Sequence, residues 1–81
     1  IEDFNNKIKL KILAEERLGI FAEILNAVAA MGIGVQTAQA KNASDEIAEC
    51  TLDINFNGLK ELKKVIERVN HIEGVRKIRI E

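Results

Sequence analysis

The sequence predicts an α+β sandwich of βαββαβ order, and three observations carry that prediction. Two stretches, Lys7 to Ile12 and Ala48 to Phe56, alternate polar and apolar side chains with the period of a half-buried strand. Two others, about Leu18 to Met31 and Leu59 to Asn70, repeat apolar residues with helical period. Turn formers stand between these segments: Gly19, Gly32, the pair Asn57-Gly58, and Gly74.

In the first strand Ile8, Leu10 and Ile12 are expected inside, with Lys7, Lys9 and Lys11 outside. Glu15 to Gly19 should form the turn that follows. The first helix, Leu18 to Met31, places Ile20, Ile24, Ala27, Val28 and Met31 on one stripe, with Phe21 and Leu25 beside it. Between Leu18 and Met31 only Gly19, Glu23 and Asn26 are not apolar, so this helix has no fully polar face and needs cover on more than one side. Gly32 stands where a left-handed C-terminal cap is expected. A second strand follows over Ile33 to Lys41, with no charge before Lys41, and residues 42–45 read as a hairpin loop.

The third strand should bury Ala48, Cys50, Leu52, Ile54 and Phe56 and expose Glu49, Thr51, Asp53 and Asn55. The second helix, Leu59 to Asn70, is amphipathic in the ordinary way, with Leu59, Leu62, Val65, Ile66 and Val69 on its apolar face. Gly74 then turns the chain into a last strand, Val75 to Ile80, with Ile78 and Ile80 inward. Val75 is out of phase with them and is expected in the turn before the strand begins. Right-handed crossovers give an antiparallel sheet of order 4-1-3-2 with both helices on one face, the ferredoxin-like arrangement. That order sets Lys9 and Lys11 beside Glu49 and Asp53, opposite charges on neighbouring strands.

At 81 residues the chain is one domain with a marginal core, since domains of this size bury only roughly 60 to 65% of the surface of the unfolded chain. Its 12 basic and 13 acidic residues leave a net charge of −1, which gives no overall pull toward nucleic acid or anionic membranes. No apolar run approaches the ~20 residues of a membrane-spanning helix. A single cysteine, Cys50, excludes an internal disulfide and fits a reducing cytoplasm. Residues 1–6 read as the end of a linker and 7–81 as the domain. Because the chain opens on Ile1 and reaches β pattern at Lys7, it is expected to be one domain of a longer protein.

Several functions of this fold are excluded by residue type. A soft-metal chaperone needs a Cys-x-x-Cys at the first strand-to-helix turn, and the turn here is Glu15-Glu16-Arg17-Leu18-Gly19. An RNA-recognition platform needs outward aromatics on its central strands, where this chain has Lys, Glu, Thr and Asp. The Gly spacing and Phe-Arg pair of an acylphosphatase anion cradle are missing as well. His71 reads as a last-turn residue facing free carbonyls, and inward Cys50 as a small hydrophobe. No catalytic residue, metal ligand or cofactor is expected. What remains is the turn Glu16-Arg17-Leu18-Gly19-Ile20 at a helix N-terminus, which suits an anion or carboxylate. From the residues alone, Gly19 either admits a ligand or merely makes the turn, and Glu16 either binds one or merely complements the helix dipole.

The segments Arg17-Leu18-Gly19-Ile20, Ala22-Glu23-Ile24-Leu25-Asn26-Ala27-Val28, Gly32-Ile33 and Ile72-Glu73-Gly74-Val75-Arg76-Lys77-Ile78-Arg79 resemble the ACT domain family, regulatory βαββαβ modules that often bind amino acids. In detail the chain is most similar to the C-terminal ACT domain of RelA/SpoT-type GTP pyrophosphokinases, which make and degrade (p)ppGpp in the stringent response. The resemblance departs at Glu16, where the family usually carries Asp or Asn, and at Gly34, where it often carries Asn. It implies a non-catalytic module that relays amino-acid or ribosome and tRNA status to catalytic domains of a parent chain. The alternatives are a ligand-free dimerisation module and the regulatory tail of an amino-acid biosynthetic enzyme. A small apolar amino-acid effector would bind at Glu16, Arg17, Leu18, Gly19 and Ile20 beside Gly34, Val35 and Gln36 at a dimer seam. A homodimer is expected through the first helix and second strand, with Phe21, Ala22, Leu25, Ala29, Val35 and Thr37 in the interface.

Overall fold

Alternating side chains commit the first strand to one buried face, and it continues past the expected end because Leu13 and Ala14 stay paired with Glu49 and Ala48 of the neighbouring strand. The computed structural model describes residues 7–81, so the expected linker end at residues 1–6 lies outside the described residues. The elements are β1 (Lys7–Glu15), α1 (Ile20–Ala30), β2 (Gly34–Asn42), β3 (Ile47–Asn55), α2 (Leu59–Asn70) and β4 (Val75–Ile80). The strands form one antiparallel sheet in the order β2-β3-β1-β4, the expected 4-1-3-2 read from the other edge. Both helices pack on one face. Ile20, Ile24 and Val28 of α1 and Leu62, Val65 and Val69 of α2 share a core with Leu10, Ile12, Cys50, Leu52 and Ile54 of the central strands.

Several boundaries and burials differ from the sequence expectation, each for a local reason. Glu15 is the last residue of β1, opposite Ile47, rather than the first of the turn. Helix α1 starts at Ile20, because Gly19 has φ +84, a value outside the right-handed helix, and Leu18 in the turn is 99% exposed. Gly32, with φ +77, takes the expected left-handed position after α1, where its amide donates to the Ala29 carbonyl at 2.9 Å. Leu59, expected on the apolar face of α2, is 73% exposed in the first turn, beyond the rim of the sheet. Ile80 lies opposite Leu10 on the inward side yet is 54% exposed, being at the end of an edge strand.

Two β-bulges explain the phases that the pattern did not carry. Between β1 and β4 the pairing steps from Leu13↔Lys77 to Ala14↔Val75, so Arg76 is the extra residue. Val75 therefore lies in β4 against the core, where the expectation had placed it in the preceding turn. Between β2 and β3 the pairing steps from Val35↔Ile54 to Thr37↔Asp53, leaving Gln36 extra and turning Ala38 and Ala40 toward Leu52 and Cys50.

The outward charges meet as expected. Lys9 pairs in register with Asp53, while Lys11 reaches diagonally to Glu49 at 3.3 Å and to Glu81 at 3.1 Å. Lys41 completes the group, 3.5 Å from Glu49. The hydrogen bond from Lys11 holds the Glu49 carboxyl below its ordinary range, and the bonds to Glu81 and then Glu49 raise the Lys11 ammonium.

Two predictions follow from this packing and pairing. Leu52, fully buried between the helices and the sheet, should cost about 2–5 kcal/mol of unfolding free energy when changed to Ala, measured by urea denaturation. A carboxyl depressed in the folded state contributes stability above its unfolded pKa and loses it as pH falls through the folded one. Denaturation from neutral to acid pH should therefore show Glu49→Gln less stable than the parent at pH 7, with a flatter acid limb. An acid limb that the substitution leaves unchanged would contradict the pairing. The raised Lys11 acts oppositely, its contribution being present below the ordinary lysine pKa and lost as pH rises through the folded value.

Candidate functional site

The site is built where β1 hands the chain to α1. Glu15 is tied on one side by its amide to the Gly74 carbonyl at 2.8 Å and by its carboxylate to Arg76 at 2.7 Å. On the other side the Glu16 amide donates to the Glu46 carbonyl at 2.9 Å. The turn is thus anchored between the α2–β4 loop and the β2–β3 hairpin. Gly19 is the N-cap of α1, and no side chain caps the helix. The amide of Ile20 donates to Arg17 and that of Glu23 to Gly19, which leaves Phe21 and Ala22 as the amides that helix geometry does not satisfy internally.

These residues border an open hollow of about 750 Å³, lined by the turn Glu16–Ile20, by Phe21 and Ala22, and by Ala40, Lys41, Asn42 and Ala48. Its walls carry one carboxylate, one ammonium, unfilled helix amides and small apolar side chains. Arg17 lines it with its turn but sends its guanidinium elsewhere. Nη2 donates to Glu23 Oε1 at 2.7 Å and to the Glu73 carbonyl at 2.8 Å. Both partners, Glu23 and Glu73, border a smaller hollow of about 500 Å³, which Asn26, Arg68 and His71 also help to line.

Of the expected effector residues, the structure brings Glu16, Arg17, Leu18, Gly19 and Ile20 together and leaves Gly34, Val35 and Gln36 apart from them. β2 runs parallel to β1 across the intervening β3, so it is the C-terminal end of β2 that meets the turn. Gly34 lies opposite Asn55 at the far end of the sheet, roughly 20 Å along the strand from Lys41. Within one chain the two halves of the expected site do not meet. Ile20 is buried beneath the hollow with only 3% exposure, which passes the apolar lining to Phe21 and Ala22. The sequence reading missed Ala40, Lys41, Asn42 and Ala48, although the predicted strand order already placed them beside the turn.

The expected interface residues occupy one flank of the molecule. Phe21 and Leu25 are half-buried and Ala22 and Ala29 exposed on α1, Val35 is half-buried, and exposed Thr37 donates its hydroxyl to Asp53 on the outer face of the sheet. His71 accounts for itself locally, its Nδ1 being 2.8 Å from the Glu67 carbonyl, which makes that nitrogen the donor. Burial pushes the Cys50 thiol up, which keeps it protonated and unreactive. Among the described residues no group of His, Cys, Asp and Glu is placed to hold a metal ion, and no helix is long and apolar enough to cross a membrane.

Comparison with known proteins places this geometry. The profile of the ACT domain matches residues 5–79. A GTP pyrophosphokinase of Myxococcus xanthus is 26% identical over 73 residues, covering 90% of this chain and 10% of that protein. An ACT domain-containing protein of Fusobacterium nucleatum is 29% identical over 73 residues, covering 88% of this chain and 48% of that one. The chain therefore spans about a tenth and about half of the lengths of these two curated relatives. The crystal structure of the ACT domain from GTP pyrophosphokinase of Chlorobium tepidum superposes with a TM-score of 0.83 at 19% identity, covering 96% of this chain and all of that one.

The two glycines that frame the site make parallel predictions. At Gly19, φ +84, a Cβ would meet nothing within 4 Å, so alanine there pays only for the left-handed backbone, about 1–2 kcal/mol. At Gly74, φ +98, a Cβ would make only ordinary contacts, 3.4 Å to Arg17 Nε and 3.6 Å to Glu15 Cβ, so Gly74→Ala should likewise lose only the left-handed backbone and cost about as much as Gly19→Ala in thermal unfolding. A clearly larger loss at Gly74 would mean that the clasp on Arg17 does not tolerate even those contacts. A valine at Gly19 is strained by the same positive φ.

Proposed function

The chain belongs to the ACT domain family, and on that premise we propose that it is the regulatory module of a RelA/SpoT-type GTP pyrophosphokinase. In this reading it performs no catalysis itself and relays amino-acid status, or ribosome and tRNA status sensed by the parent protein, to (p)ppGpp synthetase and hydrolase domains in the cytoplasm. The sequence similarity to a GTP pyrophosphokinase many times longer supports that parentage. The observation that carries a sensing role is the uncapped N-terminus of α1 standing over a hollow whose other wall is an unpaired sheet edge.

That edge is what a second copy would cover. β2 is an edge strand of nine residues with no proline and no charge before Lys41, so it lacks the usual devices against pairing. The exposed flank of α1 beside it offers Phe21, Ala22, Leu25 and Ala29. Antiparallel pairing of β2 with the same strand of a second copy continues the sheet across a two-fold axis. It also sets the second copy's Gly34, Val35 and Gln36 beside Ala40, Lys41 and Asn42 of the first. The two halves that one chain holds apart become one site.

A small apolar amino acid fits the resulting walls. Its carboxylate faces the amides of Phe21 and Ala22 at the positive end of α1, with Gly19 allowing close approach. Glu16 accepts from its ammonium group. Its side chain rests on Leu18, Phe21 and Ala22, with Val35 contributed across the seam.

Light scattering across micromolar to millimolar concentration should report a dimer, and Leu25→Glu should weaken it at least about tenfold, roughly 1.4 kcal/mol. A mass that stays monomeric throughout would remove the interface. In an NMR titration with valine, isoleucine and leucine, amide shifts should cluster at residues 16–22, 34–36 and 40–42. A dimer without such shifts would leave a ligand-free dimerisation module, and shifts centred on Lys9 would move the site to the other face of the sheet.

A further inference from the structure

The helices cover one face of the sheet, and among the described residues no element covers the opposite face. Charge is not spread evenly over it. On β1 and β4 the outward basic residues are Lys7, Lys9 and Lys11 followed by Lys77 and Arg79, all exposed except half-buried Lys11, while outward Glu15 is paired with Arg76. With the Glu15–Arg76 pair neutral, the carboxylates against these five cations are Glu49 and Asp53 on β3 and Glu81 after β4, and Lys41 on β2 also draws on Glu49, so the described residues leave a local surplus of at least two positive charges on a chain whose net charge is −1.

Pairing sharpens the imbalance. Lys11 lies directly opposite Arg79 and Leu13 directly opposite Lys77. Like charges across a ladder are destabilising, and Lys11 already shares Glu49 and Glu81, so nothing in that group is left over for Arg79. The Lys11–Arg79 juxtaposition is thus unfavourable within the isolated domain. The same face also carries two half-buried apolar residues, Leu13 and Ile47, diagonal to each other across β1 and β3.

We propose that the outer face of β1 and β4 docks an acidic surface of another folded protein domain. Three features favour a protein over nucleic acid. Carboxylates interrupt the strip, and a continuous phosphate backbone would meet Asp53 and Glu49 as well as the lysines. None of the strands carries an aromatic side chain on which a base could stack. Leu13 and Ile47, at the Glu15 end of the strip, add apolar contact surface that protein interfaces use and phosphate contacts do not. Relatives in which this module is about a tenth or about half of the chain supply a setting where another domain lies within reach. The surface is on the other side of the sheet from the helices, and its use does not depend on what the hollow binds.

An NMR titration at low salt with a short poly-glutamate peptide as the acidic probe tests it, with oligouridylate as the competing polyanion. The peptide should shift the amides of Lys9, Lys11, Lys77 and Arg79. The double variant Lys9→Gln/Arg79→Gln should bind it about fivefold more weakly, whereas Lys63→Gln/Lys64→Gln on α2, the same change in net charge on the opposite layer, should stay within about twofold. All four positions are exposed, so unfolding midpoints should hold, and Lys77→Gln alone should give an intermediate loss. Equal weakening by the two double variants, shifts centred on α2, tighter binding of oligouridylate than of the peptide, or no shift at low salt would each overturn the assignment. Failure of amino-acid binding at the hollow would leave these outcomes unaffected.

Discussion

Everything else in the molecule depends on the burial of one stripe of α1, Ile20, Ile24, Ala27 and Val28, against the inward residues of β1 and β3. The stripe must begin as soon as the chain leaves β1, because Ile20 is only five residues beyond Glu15. A turn that short, delivering a helix back across its own sheet, needs a left-handed residue at the N-cap, and Gly19 supplies it. The same geometry throws Leu18 outward, leaves the first amides of α1 without a cap and opens the hollow between the turn and the end of β2. The candidate site is thus a by-product of core packing, not a separately built pocket. The stripe uses less than half the circumference of α1. Phe21, Leu25, Ala22 and Ala29 are left on a flank beside an edge strand that has no proline and no charge before Lys41.

The fold was legible because its strongest signals are periodic and local. Strict alternation in β1 and β3 identified the two central strands and their inward residues, and the polar face of α2 set its limits at the observed residues. What was not legible came from bulges and edges. Arg76 and Gln36 each add a residue that breaks the period, so Val75 looked out of phase and β2 could not be phased. Burial at the rim depends on how far a helix extends over the sheet, which the pattern of Leu59 and Ile80 does not encode. The site was legible in half. Glycine chemistry and helix geometry point to Glu16–Ile20, whereas the strand directions implied by the predicted order put Gly34–Gln36 at the far end of the sheet from that turn. Lys41 and Asn42 read as a hairpin approach, with no motif of their own.

Arg17 gives the two ends of this account a physical link. Its backbone lines the hollow, while its guanidinium bridges the first turn of α1 and the Glu73 carbonyl, just before the glycine that starts β4. Glu15 reinforces the same junction through Gly74 and Arg76. An event in the hollow and the placement of β4 therefore share one side chain, and β4 carries part of the positively charged outer face. A small domain can be tied together in this way because each of its loops serves two neighbours at once.

The central claim is that the site is complete only when two copies join through β2. An isotope-filtered NOE experiment on a mixture of labelled and unlabelled chains tests this most directly. It should show contacts between Gly34–Gln36 of one copy and Ala40–Asn42 of the other, with none between the two segments inside a single chain. Intermolecular contacts confined to the β4 edge or to the outer face of the sheet, or none at concentrations where light scattering reports a dimer, would contradict it.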